Sequence, residues 1–175
     1  MGGRRISRRA AILAISYLGG RESMEVIGHA LKDSDRPVRL LASNGVHAIW
    51  GKSHGKQNEW RLNAVSRYLA AGEFERVIDI ADEVIEESPR FAEMWNKRAI
   101  AYFELDRIYE SIADCQQVLS LNPYHFPAST GLAHCYLELD EPNNAILHFK
   151  YALSVYPDLE YVRNQIRQLQ RSLDS

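Results

Sequence analysis

The residues of this chain that could do chemistry are few and poorly spaced for it. Gly51-Lys52-Ser53 has the ending of a phosphate-binding loop, but that loop needs a glycine five residues earlier on a strand-to-helix turn, and Val46 stands there inside a helical pattern. Histidines at 29, 47, 54, 125, 134 and 148 could hold a metal, yet no two are three or four residues apart, the spacing that sets ligands on one helical face. His134 and His148, with Cys135 nearby, are the pair that neighbouring helices could bring closest. Cys115 and Cys135 form neither a CxxC pair nor a disulfide framework, and each stands where a small apolar residue would serve as well, which reads as inert core thiols. Glu83, Glu86 and Glu87 lie on a solvent-facing stripe, and no Ser-His-Asp or Cys-His set is singled out by its context. The expectation is a chain without catalytic residues, metal or cofactor.

Length and composition suit a folded domain of ordinary kind: 175 residues, 46% hydrophobic and 25% charged, with ten glycines and six prolines. The net charge of −2 is unevenly spread, because residues 1–56 hold ten of the 21 Lys/Arg but only four of the 23 Asp/Glu. That split suggests two modules. The apolar run Ala10 to Leu18 is far short of the roughly 20 residues that a membrane span needs, so a span is not expected. Arg4, Arg5, Arg8 and Arg9 before that run imitate an export signal, but no small-x-small cleavage site follows; a cytoplasmic location is expected, with export as the alternative.

What must position any site is a repeat. With a period of 34 residues, Tyr68, Tyr102 and Tyr136 fall in one column and Pro89, Pro123 and Pro157 in another. Small or apolar character is kept in further columns, among them Val65/Ala99/Ala133, Ile78/Ile112/Ile146 and Ile85/Leu119/Leu153. Within a unit the apolar residues recur at three and four: Trp95, Ala99, Tyr102, Phe103, then Ile108, Ile112, Cys115, Leu119. Each unit is therefore a pair of amphipathic helices, turning at Gly72, Asp106 and Asp140 and stopped by a proline that cannot extend the second helix.

This pattern resembles the tetratricopeptide (TPR) repeat, most fully in Ala92 to Pro123, where Trp95, Ala99, Tyr102, Asp106, Tyr109, Ser111 and Pro123 take the family's places. The first unit departs from it with Arg61 in place of an early aromatic, and the third with Pro142 at the start of its second helix. The resemblance implies an all-α fold, a right-handed α-α superhelix, with units at 58–91, 92–125 and 126–159 and the repeat region at 58–157. After Pro157, Leu159, Val162, Ile166 and Leu169 keep helical spacing, so 158–175 reads as a closing helix over the solenoid's last apolar face. Residues 1–50 do not follow the period. Leu18-Gly19, Ile27, Ala30-Leu31, Asp33, Asp35, Val38-Arg39 and Ala42 resemble a HEAT-like repeat of the kind found in phycobilin lyases, which would form an N-terminal helical cap, with 51–57 as a polar linker.

The TPR resemblance implies a concave groove lined by the first helix of each unit, where a peptide or helix of another protein lies. Carried over by position, the groove residues are Asn63 and Ser66, then Asn96, Lys97, Ile100 and Glu104, then Thr130, His134 and Glu138. Asparagine and lysine suit this role because an extended peptide's amides and carboxylates need hydrogen bonds once water leaves. TPR domains that clamp the acidic tails of heat-shock chaperones carry basic and asparagine residues where this chain has Leu62, Ser66, Pro127 and Gly131, which argues against that ligand. The expected function is a non-enzymatic scaffold or assembly factor, with another protein as partner. Two alternatives are an accessory of a chromophore lyase, on the HEAT-like resemblance, and nucleic-acid binding through the N-terminal arginines, which lack the interleaved aromatics such binding favours.

Overall fold

The structure, a computed structural model, describes residues 2–52 and 55–174. Ser53 and His54 of the expected linker lie outside the described residues. Among the described residues the chain is helical throughout: α1 (Gly2–Leu18), a 3-10 turn (Arg21–Ser23), α2 (Met24–Ala30), α3 (Arg36–Lys52), α4 (Gly55–Ala71), α5 (Phe74–Glu87), α6 (Ala92–Glu104), α7 (Ile108–Leu121), α8 (Phe126–Glu138), α9 (Pro142–Val155) and α10 (Glu160–Leu173). Helix runs to Lys52 and resumes at Gly55, so it takes up most of the stretch that its glycines and polar residues suggested as a linker.

The three helix pairs α4/α5, α6/α7 and α8/α9 close in one manner. Gly72, Asp106 and Asp140 all have positive φ, at 74°, 60° and 56°. At each turn the amide of this residue donates to the carbonyl three residues back, and the next amide donates to Tyr68, Tyr102 or Tyr136, five residues back, at 2.8–3.0 Å. These are the paired bonds that cap a helix whose last residue turns left-handed. The second helices stop alike. Asn122 and Tyr156, each before a proline, are extended at φ −145° and −132°, and Ser88 before Pro89 likewise leaves the helix at φ −141°, as the proline ring disfavours a helical predecessor. Pro142 sits in the first turn of α9, where its missing amide costs nothing.

Side chains at helical spacing then fill the core. Val65, Val77, Ile78, Val84, Ile85, Phe91, Met94 and Tyr102 form one cluster in the first two units. Tyr102 carries Arg107 over its ring at 4.4 Å and Arg98 at 5.5 Å. Arg98 in turn stacks on Trp95, donates two hydrogen bonds to Asp114 at 2.7 and 2.8 Å and pairs with Asp82, which locks α6 to the second helices of two units.

Helices α1 to α3 touch the first unit through α3 and α4 and also reach past it. Their buried residues Ile27, Leu31, Val46, Ile49 and Trp50 join Phe126, Phe149, Tyr156, Leu159 and Ile166 in one core, shared with α8, α9 and α10. Arg39 grips Asp158 with two hydrogen bonds, 2.9 and 2.8 Å, across 119 residues of chain. Trp50 stacks on His125 at 4.2 Å, and a Cβ on Gly28 would stand 2.4 Å from the Tyr124 ring, so only glycine allows α2 this close. Arg8 and Arg9 pair with Asp33 and Asp35 in the turn before α3, which uses two of the four N-terminal arginines within the fold.

Candidate functional site

The first helices of the second and third units, α6 and α8, leave a gap between them. It is a cavity of about 210 Å³ open to solvent on one side. Ala99, Ile100 and Phe103 of α6 face Pro127, Thr130, Gly131 and His134 of α8, with Asn96 at one end and Ser111 and Cys115 of α7 as the floor. Four of the residues named from sequence thus meet here: Asn96, Ile100, Thr130 and His134. Asn63, exposed, and Ser66, whose hydroxyl donates to Leu62 O at 2.9 Å, are on α4 and do not line it. Lys97 is half-buried, and Glu104 and Glu138 are exposed near the ends of their helices; none of the three lines the cavity.

The cavity exists because side-chain volume is missing on α8. Gly131 has no Cβ, and one placed there would approach Cys115 Sγ to 3.2 Å. Pro127, in the first turn of α8, has a flat ring and no amide to offer. The sequence showed both residues only as the absence of basic groups. Ala99, Phe103 and Cys115 have the small or apolar character of packing residues, and Ser111 marks only the repeat; the signal for the hollow is the pairing of a proline and a glycine four residues apart on a groove-facing helix.

The floor is fixed and chemically quiet. Ser111 Oγ donates to Ala99 O at 2.8 Å and accepts from Cys135 Sγ at 3.3 Å, tying α6, α7 and α8 together. Burial pushes the Cys115 thiol far up and the Cys135 thiol up as well, so neither is a ready nucleophile at neutral pH. Burial also pushes the His134 imidazole below its ordinary value, with Glu138 pulling weakly the other way. Its ring meets Phe149 edge-on at 5.3 Å. The lining is therefore uncharged at neutral pH.

Beneath one end of the cavity lies a buried polar cluster. Glu93, in the first turn of α6, is buried and accepts from Asn96 Nδ2 at 3.2 Å. His125 Nε2 stands 3.7 Å from its other oxygen and His47 Nδ1 of α3 stands 3.9 Å away. Burial alone would push the Glu93 carboxyl up; the two imidazoles and the charge of Lys97 outweigh it and hold the group well below the usual carboxylate range. His125 caps α8, its Nδ1 accepting the Ala128 amide at 3.1 Å, which leaves the proton on Nε2, facing Glu93. Neither nitrogen of that ring offers a free lone pair to a metal. Among the described residues no group of three or more His, Cys, Asp or Glu side chains is arranged to hold one.

Paired helices, left-handed turns every 34 residues and a hollow between first helices define a TPR-type solenoid. Comparison with known proteins agrees. A model of the tetratricopeptide repeat family matches residues 92–125. A TPR repeat-containing protein of Rhizobium etli is 29% identical over 142 residues, which cover 81% of this chain and 69% of that protein. Among solved structures, the first TPR domain of Spaghetti (RPAP3), bound to an HSP90 peptide, superposes with a TM-score of 0.63 at 21% identity, covering 66% of this chain and 91% of that one. MamA superposes at 0.64 with 17% identity, covering 75% and 78%. A tetratricopeptide repeat stands at 92–125, and the fold is the all-α solenoid that such repeats build. No helix among the described residues is long and apolar enough to cross a membrane.

Proposed function

We propose that this chain is a non-enzymatic scaffold that receives a peptide or helix of another protein along α4, α6 and α8, with an apolar side chain of that partner seated between α6 and α8. The observation that carries this reading is the cavity of about 210 Å³, walled by Ile100, Phe103, Pro127, Thr130, Gly131 and His134. Its volume and apolar walls suit a leucine, methionine or phenylalanine side chain, whose burial would contribute roughly 1.5–3 kcal/mol. Thr130 and His134 stand beside it to meet the partner's backbone. An acidic chaperone tail of the kind the Spaghetti domain holds fits less well, because no cationic side chain lines the hollow. In this reading residues 1–50 are one HEAT-like unit that braces units two and three, 51–57 joins it to the repeats, 58–157 are the three repeats, and 158–175 closes them. Nucleic-acid binding has less support, since Arg8 and Arg9 are engaged by Asp33 and Asp35.

Ile100 offers the test, because it is 40% exposed and can change without disturbing the core. Ile100→Arg places a long charged side chain across the hollow. Affinity capture with the intact chain, read by mass spectrometry, should recover a partner that the variant loses while its melting temperature stays the same. A partner captured equally by both forms would place the working surface elsewhere.

A further inference from the structure

Helix α1 is apolar on two sides and packed on one. Ile12 is buried against α3, with Ile15 and Ser16 beside it. On the opposite side Ile6, Ala10, Leu13, Ala14 and Tyr17 follow one another at helical spacing, and all five are exposed: Ile6 by 67%, Leu13 by 46%, Tyr17 by 73%. A continuous apolar stripe of this kind on a soluble surface marks an interface.

Three features of the stripe say what fits it. Its two alanines, four residues apart near the middle, let a second helix approach closely. Its ends differ in shape. The large Ile6 projects at the N-terminal end, whereas the C-terminal half borders a groove of about 330 Å³ lined by Leu13, Ser16, Tyr17, Leu41, Asn44, Gly45 and Ala48. The ends also differ in charge. Arg4 and Arg5 are exposed at the start of α1, which contains no acidic residue, while the last turn carries the negative end of the helix dipole and the exposed Glu22 follows just beyond it, beside Arg21 in the sequence. Its own backbone amide, and the Gly20 amide that donates to it at 3.0 Å, keep the Glu22 carboxyl below the ordinary value.

A surface with a knob and positive charge at one end, and a groove and negative charge at the other, is complementary to itself when turned by a two-fold axis. We infer that α1 pairs antiparallel with α1 of a second copy of this chain, Ile6 of each copy entering the groove beside Leu13 and Gly45 of the other, and Arg4 and Arg5 meeting the partner copy's Glu22 end. A parallel pairing would set the arginines of both copies side by side. The stripe lies apart from the cavity between α6 and α8, so a dimer of this kind would present two grooves to its partners.

Sedimentation equilibrium of the intact chain over a roughly hundred-fold concentration range is the test. The apparent mass should rise from 20.0 kDa toward twice that value. Leu13→Glu with Tyr17→Glu, both at exposed positions, should keep an unchanged helical circular dichroism signal and stay at the monomer mass. Arg4→Glu with Arg5→Glu should weaken association at least ten-fold. The inference is overturned if the wild-type chain stays monomeric throughout, if the Leu13/Tyr17 variant associates as strongly as wild type, or if the arginine variant associates more strongly. A monomer that binds vesicles of anionic phospholipid through the same residues would also overturn it, because lipid would then cover the stripe.

Discussion

Asn96 separates a residue that holds the fold from one that only greets a ligand. From sequence it is a polar residue at the centre of the groove; in the structure it is 8% exposed, and its amide donates to the buried Glu93 carboxylate at 3.2 Å. Asn96→Ala removes a donor from a buried anion whose two imidazole neighbours stand no nearer than 3.7 and 3.9 Å. Hydrogen bonds to charged groups contribute about 1.5–3 kcal/mol, and the length of this one favours the lower figure. For a chain of this size each kcal/mol moves the melting temperature by roughly 2–4 °C, so a fall of about 3–6 °C is expected. Glu93→Gln in the same background takes away the charge that needs the donor, so the second loss should be smaller than Glu93→Gln causes alone. Urea and thermal denaturation of wild type, both single variants and the double variant measure this as a mutant cycle. An unchanged melting temperature in Asn96→Ala, together with lost partner binding, would refute the structural role and make Asn96 a ligand-binding residue alone.

Other expectations follow from the same structure. Tyr102→Ala should cost on the order of 3 kcal/mol, because the ring is buried between units and carries Arg98 and Arg107 on its faces; an unmoved denaturation midpoint would contradict this. Asp106→Gly should stabilise the chain by up to about 1 kcal/mol, since φ at that position is +60°, and a lower midpoint would show that the Asp106 side chain contributes more than its strain costs. Acid should loosen the N-terminal helices. Asp35 is lowered by Arg9, Asp158 by Arg39, and Asp33 by the Asp35 amide and Arg8 against the opposing effect of burial. A lowered carboxyl lends stability that is complete above its ordinary value near 3.8 and is lost as pH falls through the lowered one. Denaturation midpoints at pH 7 and pH 3 should therefore differ more in wild type than in Arg39→Ala, which has already lost the Asp158 pair.

The repeats were legible in the sequence because their signals are local. Gly72, Asp106 and Asp140 announce left-handed turns, and Pro89, Pro123 and Pro157 announce stops, without reference to any distant residue. The position of α1 to α3 was not legible, since it depends on Arg39 meeting Asp158 across the length of the chain and on Gly28 admitting Tyr124. Glu93 gave no warning either: its columns in the other units hold Glu59 and Pro127, and only the folded chain sets two histidines beside it. Four of the ten residues that line the cavity were readable: Asn96, Ile100, Thr130 and His134. The remainder was not, because a hollow is made by what Pro127 and Gly131 lack, and residue types report what is present more readily than what is missing.

Amide hydrogen exchange of the intact chain, with and without a captured partner, tests whether the partner binds between α6 and α8. Binding should slow exchange in the first helices of the second and third units, at Ile100, Phe103, Thr130, Gly131 and His134, and leave the second helices α5, α7 and α9 unchanged. Protection confined to α1, or to the outward faces of α7 and α9, would place the partner elsewhere and make the cavity a feature of packing alone.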